Sequence, residues 1–118
     1  MSEKTIHFGS ESWEREVLQA KGPVLVDFWA SWCPPCRVLG PVIDELAGTY
    51  AGRITIGKLN VDEHGELAAR YGIQSIPTLL LFENGQIVSR QIGAVPKNML
   101  VEALDARLSG AATASAQG

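Results

Sequence analysis

The chain lacks most of what a stapled, metal-built or membrane-embedded protein needs. It has two cysteines in 118 residues, Cys33 and Cys36. That is too few for the multi-bridge framework by which small secreted domains compensate for a thin core. Its two histidines, His7 and His64, stand at no spacing that suggests a zinc knuckle, and zinc takes about four ligands. No apolar run approaches the ~20 residues of a membrane-spanning helix. The formal net charge of -3 leaves no basic surplus to attract nucleic acid or an anionic membrane. The opening residues Met1-Ser2-Glu3-Lys4-Thr5 show no basic region followed by an apolar stretch, so no secretory leader is expected and a cytoplasmic location is. Internal repeats and linkers are also absent. What remains is one domain of ordinary composition, 46% apolar and 19% charged, long enough to bury a core without a staple.

Against that background the stretch Trp32-Cys33-Pro34-Pro35-Cys36 stands out. It follows Val24-Leu25-Val26-Asp27-Phe28-Trp29, an apolar run that reads as a strand covered on both faces. The residues after Cys36 read as a helix. Two thiols where a strand meets a helix N-terminus suit reversible dithiol–disulfide chemistry. Unpaired backbone N–H groups and the helix dipole favour a thiolate there, and a second thiol within one turn can resolve a mixed disulfide formed by the first. A half zinc site and a structural bridge are the competing explanations. The first lacks the remaining ligands, and the second would close a loop too short to constrain the unfolded chain much.

The rest of the chain alternates strands and helices. Thr5 to Phe8 is a short first strand. Ser10 is placed to cap a helix over about Glu11 to Ala20, with Trp13, Val17, Leu18 and Ala20 as its apolar stripe. After the turn Lys21-Gly22-Pro23 comes the strand Val24 to Ala30. The motif helix spans about Pro34 to Tyr50, with Leu39, Val42, Ile43, Leu46 and Ala47 on one side and Pro41 expected to kink it. Ile54 to Val61 is a third strand, and a short helix ends near Tyr71 at Gly72. Thr78 to Phe82 and Gln86 to Arg90 form a hairpin around Asn84-Gly85, since both turn positions tolerate positive φ. A last helix covers about Pro96 to Leu108, with Met99, Leu100, Ala103, Leu104 and Leu108 as its buried stripe. Residues 109–118 read as a tail with little to bury. The order predicts an α/β fold: a mixed central sheet of five strands with helices on both faces, residues 1–108 forming the domain.

Within the motif, Cys33 lies nearest the helix start and is the expected nucleophile; Cys36, one turn in, is the expected buried resolving thiol. Asp27 is the second informative residue. A charge inside an apolar strand is costly unless paired or functional, and this one lies nine residues before Cys36. Desolvation would raise its pKa toward the working range of a group that accepts the Cys36 proton. The alternative is a structural carboxylate neutralised by Lys58 on the adjoining strand. Ile76-Pro77 stands at a strand entrance, where no ladder N–H is needed; physics alone favours its trans form, since about one X–Pro bond in twenty is cis. Trp32 suits a docking surface, or else plain core. Gly93 permits close backbone approach by a bound peptide, or is a turn glycine.

These residues, taken together, resemble the bacterial thioredoxins. The resemblance is carried by Val24 to Ala30, Trp32-Cys33-x-Pro35-Cys36, Lys58-Leu59-Asn60-Val61-Asp62, Ile76-Pro77-Thr78, Phe82-x-Asn84-Gly85 and Gly93-Ala94, and covers about residues 5–108. It implies the thioredoxin fold, with Pro77 cis and facing the cysteines. It implies catalysis by Cys33 and Cys36 assisted by Asp27 and Lys58. It also implies a shallow groove for extended peptides formed by Trp32, Ile76, Pro77, Gly93 and Ala94, joined by the Pro34 and Pro35 side chains. The implied partners are disulfide-containing client proteins and a flavin-dependent, NADPH-driven thioredoxin reductase, with the chain itself binding no cofactor and acting as a monomer. One departure is Pro34, where the family usually has glycine in Cys-Gly-Pro-Cys. It removes an N–H near the Cys33 sulfur and stiffens the loop, and more oxidising relatives of the same fold carry proline there. The leading expectation is a general protein-disulfide reductase. A disulfide oxidase or isomerase, and a redox-silent binding module, are the alternatives.

Overall fold

Val24–Trp29 forms β2, the middle strand of the sheet. Val24 through Phe28 are all buried, as an apolar run with both faces covered must be. In the computed structural model, which describes residues 4–109, β2 pairs in parallel with β3 (Thr55–Asn60) and antiparallel with β4 (Thr78–Glu83). The strand β1 (Ile6–His7) adds beyond β3, and β5 (Gln86–Ile92) beyond β4, giving the order β1-β3-β2-β4-β5. The helices are α1 (Glu14–Leu18), α2 (Pro34–Thr49), α3 (Gly65–Arg70) and α4 (Lys97–Ser109). The expected mixed five-stranded α/β sheet is what forms.

Side chains alternate across β2, so one strand supplies two cores. Leu25 packs with Leu39, Ile43 and Leu46 of α2 and with Leu100 and Leu104 of α4. Val24, Val26 and Phe28 face the other way, against Trp13, Val17 and Leu67. Asp27 has the parity of Leu25, which turns its carboxyl toward α2. The β4–β5 hairpin turns through Asn84 (φ 54°) and Gly85 (φ 78°), the two left-handed residues that such a turn requires.

Several boundaries differ from the sequence expectation. The first helix is a short wide-turn segment over Glu14–Leu18 rather than about Glu11 to Ala20, and the Gln19 N–H donates to the Glu14 carbonyl five residues back at 2.8 Å. Ser10 does not cap it. Trp13 occupies the cap without a side-chain bond, and the Ser10 hydroxyl is bound instead to His64 and Glu66 at the start of α3. Helix α2 holds Pro41 in its interior, as expected. In α4 only Leu100 and Leu104 are buried; Met99 and Leu108 are exposed, because a helix packed along one ridge buries the i, i+4 pair and turns their neighbours outward. Residues 110–118 of the expected tail, and Met1 to Glu3, lie outside the described residues.

Candidate active site

The loop leaving β2 delivers Cys33 to the N-cap of α2, with extended backbone angles (φ -99°, ψ 107°). Pro34 and Pro35 fill the first two helical positions and bring no N–H, so the first donor the helix offers belongs to Cys36. It points at the Cys33 sulfur, N to Sγ 3.3 Å. A side-chain cap accepts from the second or third helical position. Here the second is proline and the third is Cys36, so one N–H holds this sulfur. Cys33 and Cys36 are joined by a disulfide, their Cα atoms 5.2 Å apart. The expected contrast in exposure is not seen in this form: Cys33 is 3% and Cys36 2% accessible. Closing the ring brings the sulfurs together, and each covers the other. Their surroundings differ instead. Cys33 Sγ lies 3.8 Å from the Ile76 carbonyl, whereas Cys36 faces an open cleft of about 240 Å³ between α2 and the sheet.

That cleft is lined by Asp27, Trp29, Cys36, Gly40, Asp44 and Lys58, among others. Asp27 is 1% accessible, and neither carboxylate oxygen has a hydrogen-bond partner among the described residues. Burial pushes its pKa from the ordinary 3.8 up to about 7; Lys58 pulls it down and Asp44 pushes it up. Asp27 and Lys58 are register partners on β2 and β3. Yet the Lys58 ammonium is paired with Asp44 on α2, Nζ to Oδ1 3.3 Å, and the Thr5 hydroxyl donates to the same oxygen at 2.8 Å. The structural alternative for Asp27, a carboxylate neutralised by Lys58, therefore has no ion pair to support it. Asp44 went unnoticed in the sequence reading. The available signal was its helical spacing: Cys36, Gly40 and Asp44 follow one another at four-residue intervals and so share a face.

Of the other expected residues, Ile76 lies beside the disulfide through its carbonyl. The Ile76-Pro77 peptide is cis, as the resemblance implies and against the bare base rate. The Gly93 N–H donates to the Pro77 carbonyl at 2.8 Å, with Gly93 at φ 96°, a conformation that favours glycine. Ala94, Pro34 and Pro35 are exposed. Trp32 is 64% accessible, which settles it as surface rather than core, and its indole N–H donates to Asp62 at 2.9 Å. Ile92 and Val38 are exposed apolar side chains that sequence reasoning did not single out; an outward residue at a strand end or helix start carries no periodic mark. His7 and His64 line a separate cleft with Ser10 and Arg15. Among the described residues no group of three or more His, Cys, Asp or Glu is placed to hold a metal ion, and no helix is long and apolar enough to cross a membrane.

Comparison with known proteins agrees with this geometry. The family model described as Thioredoxin matches residues 4–106. The chain is 50% identical over 105 residues to Thioredoxin 2 of Chlorobaculum tepidum, covering 89% of this chain and 96% of that protein. It is 44% identical over 108 residues to the thioredoxin of Pseudomonas aeruginosa, covering 92% and 100%. It is 50% identical over 97 residues to Thioredoxin 1 of a Nostoc species, covering 82% and 91%.

Proposed function

The chain belongs to the thioredoxin family, and from that premise we propose how its residues divide the work of a thiol–disulfide oxidoreductase. The Cys33 thiolate attacks one sulfur of a client disulfide. The client's S–S bond breaks, its other sulfur leaves as a thiolate, and a Cys33–client mixed disulfide forms. Cys36 then gives its proton to the Asp27 carboxylate and attacks the Cys33 sulfur. The Cys33–Cys36 bond forms, the Cys33–client bond breaks, and the second client thiolate leaves to take a proton from water. Two electrons pass from the dithiol to the client. Lys58 bears on the same carboxylate through its charge. The observation that carries this reading is the junction itself: a disulfide at the head of α2 whose inner cysteine opens onto a cleft holding a buried, partnerless carboxylate.

Trp32, Pro34, Pro35, Ile76, Pro77, Gly93 and Ala94 form the client-binding surface in this account, with extended peptides laid across the cis turn. The dithiol is regenerated by a thioredoxin reductase, in a reducing compartment such as the cytoplasm. The exchange domain runs through the end of α4 at Ser109, and it acts as a monomer without a bound cofactor. The test is NADPH consumption in the presence of a bacterial thioredoxin reductase and insulin as client. Turnover that needs the chain and is lost in Cys33→Ser is expected; no turnover would overturn the reading. A more oxidising role is favoured by one feature, Pro34. Equilibration against glutathione separates the two, an oxidase giving the disulfide up far more readily than a reductase.

A further inference from the structure

Around Asp27 the charges are arranged unexpectedly. On β3, Lys58 is its direct neighbour in register, and adjacent strands lie about 4.8 Å apart. A four-carbon side chain reaches across that gap easily, and a buried carboxylate without hydrogen bonds is a strong attractor for a cation. The ammonium nevertheless lies on α2. A Cβ built on Gly40 would stand 3.5 Å from Lys58 Nζ, and Asp44 holds the nitrogen at 3.3 Å with both side chains largely buried. Asp44 is in turn fixed by the Thr5 hydroxyl at the start of the chain's first strand. The remaining groups around Asp27 do not compete for the ammonium in the same way: α2 also brings Cys36 and the Arg37 guanidinium, which donates to the Ser31 carbonyl at 2.8 Å. On β4 the register partner is the apolar Leu79, and on β1 the exposed His7 lies beyond Lys58.

We propose that Asp44 is a positioning residue for the resolving step: it captures the Lys58 ammonium on α2 and thereby leaves Asp27 unpaired, a base strong enough to take the Cys36 proton. This rests on the reading of Asp27 as the proton acceptor. Asp44 touches neither sulfur nor client and acts only through Lys58. With Asp44 neutralised, Lys58 is free to turn to its register neighbour, and Asp27 becomes an ion-paired carboxylate that stays charged to lower pH and accepts a proton less readily.

The experiment follows the Asp27 carboxyl carbon by NMR titration in the oxidised protein, where neither cysteine titrates. Asp44→Asn keeps the shape and an oxygen for the Thr5 hydroxyl. It should lower the Asp27 midpoint by about one pH unit. Neutralising Asp44 also removes a direct repulsion, so the same change is made in a Lys58→Gln background, where less than half of the shift should survive. An unmoved midpoint overturns the proposal, and so does an equal shift in both backgrounds, which would reduce Asp44 to a nearby negative charge. The second readout is release of the second thiolate after the reduced protein meets an aromatic disulfide reagent. Its acid limb should move to lower pH with the titration, while above about pH 8, where Asp27 is ionised in both proteins, release should be slower in Asp44→Asn because the carboxylate is the weaker base. A moved titration with an unmoved release profile overturns instead the assignment of Asp27 as the acceptor.

Discussion

Replacing Asp27 by asparagine should stabilise this protein, and by an amount that depends on pH in a defined way. In the folded state the carboxyl titrates at about 7, raised from 3.8 chiefly by burial. In the unfolded chain it titrates at its ordinary value. Below about pH 4 both states hold the proton and the group contributes nothing. Between about pH 4 and 7 the unfolded chain releases its proton while the folded protein keeps it, so the wild type loses about 1.4 kcal/mol per pH unit. Above pH 7 both states are ionised and the penalty stops growing. The difference of about three units sets a ceiling of about 4 kcal/mol. Asparagine never ionises and escapes the penalty, though its buried amide needs partners of its own, so we expect a gain of about 2–4 kcal/mol. The assay is urea unfolding of the oxidised proteins at several pH values, with a common slope required before midpoints are compared. The two proteins should be matched to within about 1 kcal/mol at pH 4 and diverge to a plateau above pH 7. A gap that is constant with pH, or absent at pH 8.5, would refute the claim that Asp27 is buried with an unpaired, ionisable carboxyl.

Three further outcomes follow from the geometry. Pro35→Ala restores a donor at the second helical position, where capping bonds arise, and should speed alkylation of reduced Cys33 at pH 6 by about threefold; Pro34→Gly, at the first position, should leave it nearly unchanged. Trp32→Ala removes an exposed side chain and should shift stability by less than about 1 kcal/mol, while slowing insulin reduction severalfold at equal protein concentration. Gly57→Ala puts a methyl against the Ile6 carbonyl and the Phe8 ring; urea unfolding should show a loss of about 1–3 kcal/mol with the cysteine chemistry intact.

What was legible in the sequence shares a common character: it was local. The run from Val24 to Phe28 is apolar because β2 is covered on both sides, and Asn84-Gly85 announces its turn because two adjacent left-handed residues are rare elsewhere. Asp27 could be singled out because a carboxylate in such a run contradicts its surroundings. What escaped was set by the tertiary partner. Ser10 looks like a cap, but its hydroxyl is held from α3, 54 and 56 residues away at His64 and Glu66. Lys58 was read as the natural partner of Asp27 from strand adjacency, and only the packing of α2 shows Asp44 taking it. The cis form of Pro77 has no physical signature in the dipeptide and came from the resemblance alone. Met99 and Leu108 have the spacing of a buried stripe, but α4 meets the core through Leu100 and Leu104, with Val101 packed beside them.

The division of labour between the two cysteines is the centre of the account, and burial in the disulfide form does not decide it. Trapping does. Reduced Cys33→Ser and Cys36→Ser are each incubated with a disulfide-containing client and the products are separated without reductant. Cys36→Ser retains the attacker and lacks the resolver, so it should accumulate a stable covalent complex with the client, while Cys33→Ser forms little. Equal trapping by the two variants, or trapping by Cys33→Ser alone, would contradict the assignment.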